Sequence, residues 1–160
     1  MAELNGITDY PCPAGGCLLT SKEFSAKLSD MLVHDPDRLT MRDIAILKVG
    51  RHFRVNGRKV IIGRNERENE LLKGFLNQEM ELLEPMEVKG PSCLVEGHDP
   101  ETLNEAAMML ARYSDGGSAP IRVQIVGSRE LDGVLPATNV KIDSRRIGIG
   151  ENVLTMEGML

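Results

Sequence analysis

Residues 50–63 read GRHFRVNGRKVIIG, and this stretch restricts the fold more tightly than the rest of the chain. Two runs of alternating character meet at Asn56–Gly57. That dipeptide suits a two-residue hairpin turn, because both central positions need positive φ. Phe53 and Val55 then alternate against Val60 and Ile62, which leaves the Arg and Lys side chains on the other surface. Gly63 closes the second strand, and Asn65 stands where an N-cap belongs ahead of ERENELLKGFL. Glu66 and Glu68 fall in that helix's first turn, where its dipole favours acids. A β-hairpin running straight into a capped helix is therefore set by local chemistry.

The remainder alternates between helical and extended patterns around this unit. Thr20 and Glu23 have capping-box spacing, and Phe24, Leu28, Met31 and Leu32 recur on one helical face that ends near His34, ahead of Asp35–Pro36. Thr40 and Asp43 open a shorter helix that carries Met41, Ile44 and Leu47 inward. Leu71, Leu72, Phe75 and Leu76 form the core face of the helix after Asn65. MELLEPMEV and SCLVEG read as two short strands split by a Lys89–Gly90–Pro91 turn. Asp99–Pro100 starts a further helix, with Asp as cap and Pro at its first position. Its apolar stripe, Leu103, Ala106, Ala107 and Leu110, is narrow enough for close packing on a sheet. Gly116 and Gly117 end it, and residues 120–126 are extended.

The fold expected is α/β (α+β): a single mixed sheet of four to six strands with a central β-hairpin, helices mostly on one face. Residues 1–19 form a Pro/Gly-rich arm with a Cys pair, and residues 20–126 form the domain. Residues 127–160 are a C-terminal extension, either carrying strands around 140–142 and 152–156 or partly mobile.

A length of 160 residues with 41% hydrophobic positions suits one globular domain. No apolar run approaches the ~18 residues that span a bilayer. The opening MAELNGITDYP lacks the basic-then-apolar pattern of a secretory signal, so a cytoplasmic location without membrane contact is expected. Three cysteines are too few for a disulfide scaffold. The aromatics are Tyr10, Phe24, Phe53, Phe75 and Tyr113, too scarce for stacking many bases in a row. Net charge is −5, yet residues 48–73 carry eight basic against three acidic side chains, +5, while the rest of the chain sums to −10. A chain so polarised can offer a positive surface while staying acidic overall.

Two constellations could carry chemistry. In Pro11-Cys12-Pro13-Ala14-Gly15-Gly16-Cys17, two thiols lie on a turning loop just ahead of a helix. A helix N-terminus favours thiolate, so Cys17 is the candidate nucleophile, and Cys12 could meet it in space. Two unrelated thiols in a linker explain the spacing equally well. The second constellation is the basic hairpin and helix: Arg51, His52, Arg54, Arg58, Lys59, Arg64, Asn65, Arg67 and Asn69 are the candidate RNA contacts. Against that stands a solvated hairpin whose charges serve solubility alone. A third segment, Lys89-Gly90-Pro91-Ser92-Cys93, reads as a turn followed by a buried thiol. No P-loop, dinucleotide fingerprint, SGGxDS loop or HExxH is present, and no metal or cofactor site is expected.

PCPAGGCLLT, LKVGRHFRVNGRKVIIGRNERENELL, GPSCLVEG and AAMMLARYS together resemble a known module. It follows the PP-loop ATP pyrophosphatase domain in bacterial and archaeal proteins similar to tRNA 2-thiouridylases and 4-thiouridine synthetases, and is classed with the predicted RNA-binding domains of NFACT proteins. The resemblance implies an α/β fold, RNA binding and a tRNA thiolation pathway. Its partners would be tRNA, a PP-loop pyrophosphatase and a sulfur donor. In the fused relatives the arm often reads Pro-Ser-Pro-Ala-Gly-Gly-Cys. Cys17 matches that pattern and Cys12 departs from it; the resemblance implies Cys17 as sulfur carrier, with Cys12 as its resolving thiol. The implied role is an RNA-binding accessory module that is not an enzyme alone. A sulfur-relay protein using Cys17, and a protein-interaction domain docking on a pyrophosphatase, remain open beside it.

Overall fold

The computed structural model describes residues 17–37, 39–115, 120–127, 133–137 and 145–147. Four helices form among these: α1 (Lys22–His34), α2 (Met41–Leu47), α3 (Glu66–Gly74) and α4 (Pro100–Arg112). The strands are β1 (Arg51–Val55), β2 (Arg58–Ile62), β3 (Met80–Pro85), β4 (Cys93–Glu96), β5 (Ile121–Gly127), β6 (Gly133–Ala137) and β7 (Arg145–Ile147). They make one sheet in the order β6-β5-β3-β4-β2-β1-β7, and every described pairing is antiparallel. The α/β class and the central hairpin agree with expectation. The chain up to residue 127 supplies five strands, within the range expected, and the C-terminal extension adds the two edges. Residues 140–142 and 152–156, read as possible strands, lie outside the described residues.

Local signals place most element starts. Asn56 and Gly57 both have positive φ, 48° and 76°, as the tight turn between β1 and β2 requires. Thr40 and Asp43 form a reciprocal capping box on α2. Asn65 accepts from the Glu68 N–H at 3.0 Å, and Asp99 accepts from the Thr102 N–H at 2.9 Å with Pro100 behind it. One start shifts: Ser21, not Thr20, caps α1, accepting from the Phe24 N–H, while the Thr20 hydroxyl donates to the Cys17 carbonyl inside a 3-10 turn spanning Leu18–Thr20. Three apolar residues assigned inward, Leu32, Met41 and Leu71, are exposed, because each lies at the rim of its helix's packed stripe.

Helices cover both faces of the sheet. On one, α4 lays Leu103, Ala106, Ala107 and Leu110 over Phe53, Val55, Val60, Ile62, Cys93 and Val95. The two alanines are fully buried and let the helix approach closely; Leu110 alone contributes roughly 2 kcal/mol through burial. On the other face, Ile46 of α2 and Leu72 of α3 pack on Ile61, Leu82 and Leu94. α1 is anchored there too, through Phe24 and Met31 against Leu47. No helix among the described residues is long and apolar enough to cross a membrane.

Because α1 lies over it, the second face of the hairpin is interior. His52 is fully buried and Lys59 nearly so. Arg54 is mostly buried, pairs with Asp30 of α1 and also donates to the Gly57 carbonyl at 3.1 Å. Lys27 of α1 donates to the Gly50 carbonyl at 3.0 Å and pairs with Glu23 at 3.0 Å. Burial lowers the pKa of Lys27 and of Lys59, the latter further through the Arg54 charge. The expectation of an exposed cationic face on this ribbon is corrected here: its charges are enclosed by a helix that supplies their counter-ions.

Two outcomes follow from that enclosure. Arg54→Ala should lower the stability of the domain by about 2 kcal/mol and Arg54→Glu by more, read from urea unfolding, because each removes the guanidinium that Asp30 meets in a mostly dry setting. Adding Asp30→Arg to Arg54→Glu should restore part of the loss. The second concerns pH. Burial, with Lys27 nearby, lowers the His52 pKa from 6.5 to about 3. Below pH 6.5 the unfolded chain takes up a proton that the native state refuses, so this residue's contribution is intact above that pH and lost as pH falls toward 3. In that window the wild type should lose up to ~1.4 kcal/mol per pH unit more than His52→Gln, measured by denaturation at a series of pH values.

Candidate nucleic-acid interface

A groove of about 690 Å³ opens where the β2–α3 junction meets the loop before β4. One wall is Gly63, Arg64, Asn65, Glu66 and Asn69; the other is Lys89, Gly90, Pro91 and Ser92. Arg51 of β1 and Tyr113, at the end of α4, line it between them.

The walls are tied by hydrogen bonds. Gly63 N–H donates to the Ser92 carbonyl at 3.0 Å, and Ser92 N–H donates to Asn69 Oδ1 at 3.0 Å. The Asn69 side chain lies so close over Gly63 that any Cβ there would collide with its oxygen. Glycine at 63 and asparagine at 69 are thus one device for docking the 89–92 loop. The buried Ser92 hydroxyl donates to Glu84 at 2.8 Å. Glu84 in turn pairs with Lys73 at 3.2 Å, and Lys73 also meets Glu70 at 3.0 Å. Hydrogen bonding to Glu70, then to Glu84, raises the Lys73 pKa.

The sequence-derived contacts divide into three groups. Arg51, Arg64, Asn65 and Asn69 are brought together on the groove. Arg64 is engaged: its backbone N–H and Nε both reach Glu68, at 2.8 and 3.2 Å, and Nη1 lies 3.7 Å from Glu23. Arg58 and Arg67 are exposed but do not line the groove; Arg58 sits by the hairpin turn beside Gly97, where its charge helps hold the Asp99 carboxyl low, after the larger effect of the Thr102 hydrogen bonds. His52, Arg54 and Lys59 point into the α1-covered interior and are withdrawn as RNA contacts, since burial and the Asp30 pair leave them no access to a phosphate. The cations of residues 48–73 are therefore dispersed, and no single polyanion-binding face forms from them.

Sequence reasoning missed Lys89, Ser92, Tyr113 and Asp115, all of which line the groove. Lys89-Gly90-Pro91 reads as an ordinary turn until Asn69 and Gly63 are seen to grip the residue after it. Cys17 is exposed, ahead of a three-residue 3-10 turn rather than of α1 itself, while Cys93 is buried in the α4-side core and its thiol pKa is pushed up by desolvation. Cys12 lies outside the described residues. Among the described residues, no group of three His, Cys, Asp or Glu side chains is arranged to hold a metal ion.

Comparison with known proteins places this geometry. The model of the family described as NFACT protein RNA binding domain matches residues 50–143, more than half of the chain, and takes in both walls and the floor of the groove. No curated protein matches the chain. Among solved structures, the C-terminal part of the fibronectin/fibrinogen-binding protein from Streptococcus suis (FBPS) is similar with a TM-score of 0.51 at 11% identity. The match covers 74% of this chain and 64% of that one, so this chain spans less than two thirds of that structure; at such identity the likeness is one of fold.

Proposed function

Because the chain belongs to the NFACT RNA-binding domain family, we propose that it binds RNA, and that the groove between residues 63–69 and 89–92 is where it does so. The observation that carries this reading is the position of the groove: its walls and floor all fall inside the family match. Its chemistry suits short, selective contact. Arg51 and Lys89 have no carboxylate partner among the described residues, and Asn65, the N-cap of α3, lines the same space. Glu66, Glu70, Glu84 and Asp115 line it as well, so phosphate attraction is modest.

The finer reading is that the RNA is a tRNA and that the domain serves a thiolation system, delivering tRNA to a PP-loop ATP pyrophosphatase. The arm's match to Pro-Ser-Pro-Ala-Gly-Gly-Cys supports it. Within such a system Cys17 is the thiol placed to carry sulfur, and its exposure supports that role.

Titration of tRNA at low and at moderate salt tests the first reading. Two unpaired cations give a log–log salt slope of about −1.5, and Lys89→Glu should weaken binding about tenfold without lowering thermal stability. Absence of binding at low salt, or full affinity in Lys89→Glu, would remove the groove from consideration. For the thiols, iodoacetamide at neutral pH should label Cys17 in the native protein and spare Cys93 until the chain is unfolded. Labelling of Cys17 no faster than that of Cys93 would end its candidacy as a sulfur carrier.

A further inference from the structure

Arg51 is held differently from the other cations of the groove. Arg64 and Lys73 are matched with carboxylates, whereas no carboxylate among the described residues pairs with Arg51. Its guanidinium lies 5.0 Å over the centre of the Tyr113 ring, and Nη1 donates to the Gly63 carbonyl at 3.1 Å. A ring face on one side and a fixed carbonyl at the edge hold the orientation of the guanidinium. Tyr113 is itself backed by Phe53, ring centres 6.3 Å apart and tilted 45°, and Phe53 is 4% exposed. From the core outward the order is Phe53, Tyr113, Arg51. Arg51 lines the groove and remains partly exposed, and Tyr113 keeps 39% of its surface exposed.

A planar cation, pre-set on an aromatic ring and without a counter-ion among the described residues, is a surface for the π-face of a nucleobase. The rest of the lining argues the same way. Glu66 and Asp115 oppose a dense phosphate backbone, while Asn65 and Lys89 offer donors. A space of about 690 Å³ accommodates a ligand the size of one or two nucleotides. Bases within a duplex keep their faces covered by neighbours and cannot enter it.

We infer that Arg51, backed by Tyr113 and fixed by the Gly63 carbonyl, is the stacking platform for an unpaired nucleobase, so that the groove selects single-stranded RNA over duplex. This rests on the RNA-binding reading and adds the substrate class. The platform depends on planarity, not only on charge, and Lys in place of Arg keeps the charge while losing the plane.

The test uses the full chain and three fluorescently labelled RNAs, followed by anisotropy at low salt: a five-nucleotide oligoadenylate, an abasic pentamer with the same phosphates, and a ten-base-pair RNA hairpin closed by an ethylene-glycol linker in place of loop nucleotides. The wild type should bind the oligoadenylate about tenfold more tightly than the abasic strand or the hairpin. Arg51→Lys should bind the oligoadenylate no better than the abasic strand, with abasic affinity unchanged. Tyr113→Ala, at a position open enough to tolerate truncation, should show the same collapse of discrimination, and melting curves confirm that both variants are folded. If wild type and Arg51→Lys favour the oligoadenylate equally, or the hairpin binds as tightly as the single strand, the platform is wrong while RNA binding stands. If none of the three RNAs binds, both readings fall together.

Discussion

The Arg54–Asp30 pair, with Lys27 bonded to the Gly50 carbonyl beside it, joins α1 to the hairpin, and much of the molecule's surface character depends on that junction. A ribbon with three polar residues on its second face, His52, Arg54 and Lys59, can stay in water or be covered. Covering it requires that each charge find a partner, because an unpaired ion in that setting costs several kcal/mol. α1 provides Asp30 for Arg54 and its own Glu23 for Lys27. His52 is accommodated by remaining neutral, its Nε2 donating to the Val49 carbonyl at 2.8 Å. With these groups enclosed, the sheet has helices on both faces, and the groove cations left for a ligand are Arg51, on the opposite face of β1, and Lys89.

That redistribution shapes the recognition the domain can perform. A continuous cationic ribbon would favour any polyanion, with affinity set by the number of phosphates neutralised. The groove instead mixes four basic with four acidic side chains, two of the basic ones already paired. What remains is shape, a fixed guanidinium on a ring, and a few donors. Such a lining discriminates by base exposure more than by charge, which also fits a chain whose net charge is −5.

The parts of the fold legible in sequence are those whose signal lies within a few residues. Asn56–Gly57 set the turn, Asn65 and Asp99 set two helix starts, and Thr40 with Asp43 set a third, since each acts through hydrogen bonds or φ values inside one turn of chain. Helical periodicity placed Leu103, Ala106, Ala107 and Leu110 correctly because a whole face is buried. It misassigned Met41 and Leu71, which lie at the edges of their apolar stripes, where only the actual neighbours decide exposure. For the proposed site, the GRN-x-x-x-N pattern covers one wall of the groove. The opposite wall was hidden, because Ser92 becomes informative only once Asn69, 23 residues away, is bonded to it.

Composition and local pattern determined by themselves the α/β class, the central hairpin, the capped helices and the presence of a basic segment. Tertiary structure alone decided which of those basic side chains are available. The physical reason is that a turn or a cap is complete within its own segment, whereas the fate of a charge depends on what is packed against it. Asp30 is 24 residues from Arg54 and neutralises it, while Arg51, three residues before Arg54 and on the opposite face of the same strand, meets Tyr113 at the end of a distant helix and pairs with no carboxylate among the described residues.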